Sequence, residues 1–274
     1  MSIDTVPLWV IFIGIVLIVL VSLEGGFRLG QFAHRRSEDE KESPVSVISG
    51  SILGLGAFVL AFTFGIVANR FDHRRELVRE EANAIRTAWL RSDFLPELDR
   101  ANAKETLRGY LDERLAFAQS DLDPQRVQGL RAAAARCHGR LWEIAVANAR
   151  NDMNSDVAAL YIESLNEVFS IHALRISVGL QSRIPIAIWL MLLVVTALGM
   201  ISLGYQTGIA GSKRSFAQPI LAVSFALVIA LIAELDRPDA GYIRVTQQPL
   251  VNLQSWMAEH SDVAEAEGSA PAGE

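Results

Sequence analysis

Cysteine is almost missing from this chain of 274 residues. Cys137 stands alone, which excludes an intrachain disulfide framework and a thiolate cage around a metal. A basic patch is missing too. The formal net charge of -6 is spread along the sequence, so the charge pattern offers nucleic acid no footprint. The N-terminus lacks the marks of a cleaved secretory signal: "MSIDTVPLWV" has no basic n-region and carries Asp4, and "VSLEGG" follows the apolar run where an A-x-A site would be needed. A retained membrane helix is expected there. Catalytic signatures are also absent. There is no Ser-His-Asp order, no G-x-x-x-x-G-K-[ST] and no H-E-x-x-H, and "GGFRLG" lacks the preceding strand of a dinucleotide fingerprint. No enzymatic activity and no cofactor are expected.

What the chain has is apolar sequence in blocks. Hydrophobic residues make up 51% and the mean hydropathy is +0.27, too apolar for an ordinary soluble protein of this charge. Four segments approach the ~20 residues needed to cross a bilayer: Val6 to Leu23, Val45 to Ala68 (the span reaching about residue 70), Pro185 to Tyr205 and Phe216 to Leu235. Between the second and third lies a polar stretch, 71–183, rich in Leu, Ala, Arg and Glu with almost no run of β-branched residues. It reads as helical throughout. The expected helices are an extension of the second span through Leu95, then Glu97–Gln119, Pro124–Arg150 and Ser155–Ser182. Asp123 is placed as an N-cap with Pro124 at the first helical position.

The expected architecture is an all-α membrane protein. A first transmembrane hairpin occupies 1–70, a cytoplasmic helical domain 71–183, and a second hairpin 184–235. A cytoplasmic segment, 236–258, and a disordered acidic tail, 259–274, complete the chain. Arginines 70, 74, 75, 79, 175, 183, 237 and 244 flank the spans on the side of the helical domain, against Arg28, Arg35, Arg36, Lys41, Lys213 and Arg214 on the other. That bias favours a cytoplasmic domain and cytoplasmic termini.

The second span turns from apolar to densely charged at Asn69–Arg70 without Gly or Pro. At 100° per residue, one ridge reads Leu53, Ala57, Leu60, Phe64, Val67, Phe71, Val78, Ala82, Ile85, Trp89, interrupted only at Arg75. The opposite face reads Ser51, Leu55, Phe58, Phe62, Ile66, Asn69, His73, Glu76, Glu80, Asn83, Thr87. The faces keep phase across the boundary, so one unbroken helix is expected. Either it is a membrane helix continuing into a bundle helix, one face packed and the other wet, or copies of it line a central pathway. Its small residues, Gly50, Gly54, Ala57, Ala61 and Gly65, permit close helix approach, inside one subunit or between subunits. His73-x-x-Glu76-x-x-x-Glu80 puts an imidazole and two carboxylates on one face. No second Glu-x-x-His accompanies it as in di-iron bundles, so a polar stripe is expected and no metal. His138 and His172 lie inside helical patterns and read as packing or surface residues. Glu234 and Asp236, closing the fourth span beside Arg237, read as locally paired, the other possibility being an ion path.

The stretch "ILGLGAFVLAFTFGIVANRFDHRRELVREEANAIRTAW" resembles the second membrane helix of bestrophin channels, and "SRIPIAIWLML" their Ile-Pro-led third helix. "ELDRPDAGYIRVTQQPL" and "RLWEIAVANAR" resemble signatures of the narrower bacterial bestrophin-like family. The resemblance covers about Val45 to Leu253. It implies a four-span subunit of the bacterial inner membrane, with both termini and the helical domain cytoplasmic. It also implies homo-oligomeric assembly around an axis, a pentamer in true bestrophins. The second helix would line a narrow apolar neck, with Phe62 on a neck aromatic and Phe58 one turn before it. Gly54 falls where a third neck residue would be bulky. The acidic calcium clasp of animal bestrophins has no match, since "HRRSEDEKE" lies in the first loop, so calcium gating is not implied. The candidate neck is Leu55, Phe58, Phe62 and Ile66, and the candidate vestibule Asn69, His73, Glu76 and Glu80. Partners would be the lipid bilayer, small inorganic ions and further copies of the chain. A non-conducting membrane scaffold or sensor, whose helical domain binds a partner, is the alternative; a membrane enzyme comes third.

Overall fold

The computed structural model describes residues 6–36, 42–119, 124–178, 183–210, 217–237 and 243–268, and these are all-helical. The helices are α1 (Leu8–Arg36), α2 (Glu42–Arg91), α3 (Glu97–Gln119), α4 (Pro124–Asn151), α5 (Asp156–Ile176), α6 (Ile186–Ile209), α7 (Ala217–Asp236) and α8 (Gln248–Gly268), with a 3₁₀ turn, Ser92–Phe94, after α2. Four of them, α1, α2, α6 and α7, are long and apolar enough to cross a membrane. The chain divides into two compact units: Met1–Phe71 with Arg183–Arg244, and Asp72–Ser182 with Val245–Glu274.

In the first unit, α1 is longer than the expected span, continuing past Leu23 to Arg36. Gly25 and Gly26 do not break it. Gly26 and Gly30 on α1 face Gly204 and Gly208 on α6, and a Cβ at any of the four would overlap a backbone carbonyl of the other helix: those of Ile201, Tyr205, Leu23 and Phe27 respectively. Two G-x-x-x-G faces thus bring parallel backbones into contact, the close approach that small residues allow in lipid. The small residues of α2 behave differently. Its line towards α6 is antiparallel and mostly side-chain in character. The Ser49 hydroxyl lies 2.8 Å from that of Ser202, the Leu53 side chain fills the space over Gly199, and Gly56 faces Val195. Gly50, Gly54, Ala57, Ala61 and Gly65 are all exposed, so this stripe is uncovered among the described residues of the chain.

Charged residues close this unit at one end. The Asp236 carboxylate accepts the Ile184 amide at 3.2 Å just before α6, where the helix N-terminus favours a negative charge. Arg70 lies 3.8 Å from it, and Arg183 Nη1 donates to the Asp236 carbonyl at 2.8 Å. Buried Glu234 accepts the Ile243 amide at 3.1 Å. Both carboxylates are therefore tied locally.

In the second unit, the lower part of α2 packs with α3, α4, α5 and α8 around Trp89, Tyr110, Leu107, Leu111, Leu141 and Leu165. Ser155 caps α5, its hydroxyl accepting from the Ala158 amide at 3.2 Å. The helix boundaries expected for 97–119 and 124–150 agree with α3 and α4 to within a residue; α5 is α-helical to Ile176, and residues 179–182 of its expected end lie outside the described residues. From Val245 onward the chain is part of this unit, with Leu250, Leu253 and Met257 of α8 in its core. α8 is described to Gly268, overlapping the start of the expected tail; "EHSDVAEAEG" is rich in the helix formers Ala and Glu. Asp123, most of the acidic first loop and residues 269–274 lie outside the described residues.

Candidate functional site

The helix α2 runs unbroken through Asn69–Arg70 for 50 residues, about 75 Å at 1.5 Å per residue. In the first unit its packed line is Gly56, Leu60, Thr63 and Val67. Ala57 and Phe64 of the expected apolar ridge fall on the exposed side of this narrow line. The face away from it carries Leu55, Phe58 and Phe62. The two phenylalanines are 67% and 63% exposed, with rings stacked at 6.4 Å. Ile66 is half-buried and Asn69 exposed. Large aromatic surface is thus held outward on a helix whose back is fixed.

In the second unit, α2 again buries one side: Leu77, Val78, Glu81, Ala82, Ile85 and Trp89. Arg75, which interrupted the expected ridge, is exposed and 3.6 Å from Asp72. His73, Glu76 and Glu80 are exposed, with His73 Nδ1 3.8 Å from Glu76. They sit one turn apart as expected. Among the described residues, no group of three or more His, Cys, Asp or Glu side chains could hold a metal ion.

Sequence reasoning missed the charged centre of the second unit. Glu81 is 0% exposed. The Tyr110 hydroxyl donates to its Oε1 at 2.9 Å, Arg114 Nε donates to the same oxygen at 2.9 Å, and Arg175 Nη1 donates to Oε2. Arg175 also reaches the Gln247 side-chain oxygen at 3.2 Å. Burial alone would push the Glu81 carboxyl up, but the Arg114 and Arg175 charges and the hydrogen bonds from Tyr110 and Arg175 outweigh it and hold the group below its usual range. Burial and the neighbouring Glu81 charge push the Tyr110 phenol well up, so it stays a donor. His172 Nδ1 is 3.0 Å from the Tyr110 oxygen, and His138 stands edge-on to His172 at 4.8 Å. The signal was available: 78, 81, 82 and 85 share a helix face, and Glu81 is the one charge on that apolar stripe.

The bestrophin-like domain model matches residues 13–250, most of the chain. The chain belongs to the bestrophin-like family. No curated protein matches it by sequence. Two crystal structures of a bacterial bestrophin homologue from Klebsiella pneumoniae, one of them a point variant, match this bestrophin-like chain at 16% identity, each with a TM-score of 0.62. Each comparison covers 92% of this chain and 98% of the homologue. At that identity the likeness establishes the fold. The bestrophin-like chain is a multi-pass membrane protein of the bestrophin fold.

Proposed function

We propose that this bestrophin-like chain is one subunit of a homo-oligomeric ion channel, a pentamer by resemblance, in the bacterial inner membrane. Conduction is passive, along an axial pore lined by α2. Leu55, Phe58, Phe62 and Ile66 form its hydrophobic neck, and Asn69, His73, Glu76 and Glu80 its cytoplasmic vestibule. Characterised members of the family are ion channels. The observation that carries the reading here is the outward aromatic face: Phe58 and Phe62 lie exposed on α2 while its back is packed, and the small residues Gly54, Ala57, Ala61 and Gly65 beside them are exposed as well. A helix built this way lacks its partners until copies assemble around it. An apolar constriction of this kind gates by dewetting.

Electron microscopy of the purified protein tests the assembly. A ring of subunits with an axial opening bordered by α2 is expected; particles without a central opening would support a scaffold instead. Orientation is tested separately. Reporter fusions after Gln31 and after Gln119 should report opposite compartments, with Gln119 cytoplasmic, and a periplasmic signal at Gln119 would invert the topology.

A further inference from the structure

The described part of the second unit buries more positive charge than negative at its centre. Two guanidiniums, Arg114 and Arg175, share one carboxylate, Glu81. That carboxylate ties α2 to both α3 and α5, beside the Arg91 bond to the Leu160 carbonyl of α5. Next to it lie two imidazoles that the channel reading does not use. His172 touches Tyr110 through Nδ1. His138 is stacked among Tyr110, Phe169 and His172, and its Nε2 is buried with no hydrogen-bond partner among the described residues.

The hydrogen-bond directions are set by the charges. Glu81 can only accept, so the Tyr110 hydrogen points at it. The Tyr110 oxygen is then free to accept, and His172 Nδ1–H donates to it. Neutral His172 thus completes a relay, imidazole to phenol to carboxylate, with its proton on Nδ1 and a lone pair on Nε2. A narrow crevice is lined by Glu113, Arg114, Phe117, Leu130, Arg131 and His172.

We propose that His172, with His138 packed against it, is a proton-binding site, and that filling it loosens the packing of α5 against α3 around the Glu81 centre. The ionisable groups around the pair are Glu81 from α2, Tyr110, Glu113 and Arg114 from α3, Arg131 from α4 and Arg175 from α5. A proton on Nε2 makes a third cation beside Arg114 and Arg175, with one buried carboxylate to share. Like charges in a low-dielectric interior repel strongly, and with Arg114 on α3 and His172 and Arg175 on α5 the repulsion is relieved when α5 moves away from α3. Burial, followed by the Arg114 and His138 charges, holds the His172 imidazole down at about 4, against 6.5 in the open. Burial and Arg114 hold His138 at about 4 as well. The site is therefore empty near neutrality and fills on acidification. An open state, where the imidazoles regain their ordinary affinity, gains population as the pH falls from 6.5 towards 4.

Hydrogen–deuterium exchange of the full-length protein in detergent tests this without recording conduction, so failure here and failure of the channel reading are distinguishable. Corrected for the intrinsic exchange rate, protection of the α5 amides from Tyr161 to Arg175 should fall about tenfold or more between pH 6.5 and pH 4. His172→Asn keeps a donor near the place of Nδ1 but cannot take the proton, and should make the fall at least about threefold smaller than in the wild type, His138 still being present. An equal fall in both proteins, or none in the wild type, overturns the proposal. Should the variant fail to fold, the imidazole carbon shifts of wild-type His172 decide. A titration midpoint near 4 agrees with the proposal, and one at 6.5 refutes it.

Discussion

Glu81→Ala is expected to destabilise the helical unit by about 3–5 kcal/mol, because it leaves Arg114 and Arg175 charged and buried without their carboxylate. Arg114 is itself buried and Arg175 nearly so, so neither gains much water in exchange. Glu81→Gln keeps the volume and one acceptor but not the charge, and should fall between wild type and alanine. Replacing Glu81, Arg114 and Arg175 together by apolar residues of similar size should recover much of the loss, since an apolar core avoids the desolvation of all three ions. Thermal melting of the three variants in one detergent measures the order. A loss below about 1 kcal/mol for Glu81→Ala would mean that the guanidiniums reach water, as exposed pairs do. The carboxyl is held below its usual value in the fold, so its contribution is present above pH 4.5 and disappears as the pH falls through the folded pKa.

Phe62→Ala is expected to raise conductance or open probability, and by more than Phe64→Ala. Each removes one phenyl ring from the same helix. Phe62 is 63% exposed on the proposed neck face and Phe64 38% exposed on another, so loss of membrane burial alone would not single out Phe62. A ring of phenylalanines excludes water from a narrow pore, and truncating it wets the constriction. Phe58→Ala should act in the same direction, since its ring stacks on that of Phe62. Single-channel recordings of the variants measure it. Equal effects of Phe62→Ala and Phe64→Ala, or effects on stability alone, would remove this face from the pathway.

Much of the fold was legible because its elements obey simple periodicities. The lack of Gly or Pro at Asn69–Arg70 and the phase of two faces across it led to one long helix, and α2 is unbroken there. Pro96 and Pro124 marked helix starts. The end of α1 was less legible. Glycines at 25, 26 and 30 suggest termination in solution, yet Gly26 and Gly30 pair with Gly204 and Gly208, a partnership that depends on residues far away in sequence. The buried charge at Glu81 was obscured by its neighbours. In "REEAN", Glu80 and Glu81 look alike, and only the helix phase assigns one to water and the other to the core. The outward position of Phe58 and Phe62 was legible as a face, whereas the copies of the chain that would cover it in the proposed channel leave no mark in a single sequence.

Planar-bilayer recording of the purified wild-type protein in asymmetric salt tests the proposed channel most directly. In a symmetric assembly Glu76 and Glu80 each become a ring of carboxylates one turn apart, and such rings concentrate cations and repel anions. Discrete currents are expected, with a reversal potential on the cation side that shifts towards anions in the Glu76→Gln, Glu80→Gln double variant. A conducting protein whose reversal potential is unchanged by the double substitution would place these residues outside the pathway. Correctly folded, oligomeric protein that passes no current would contradict the channel itself.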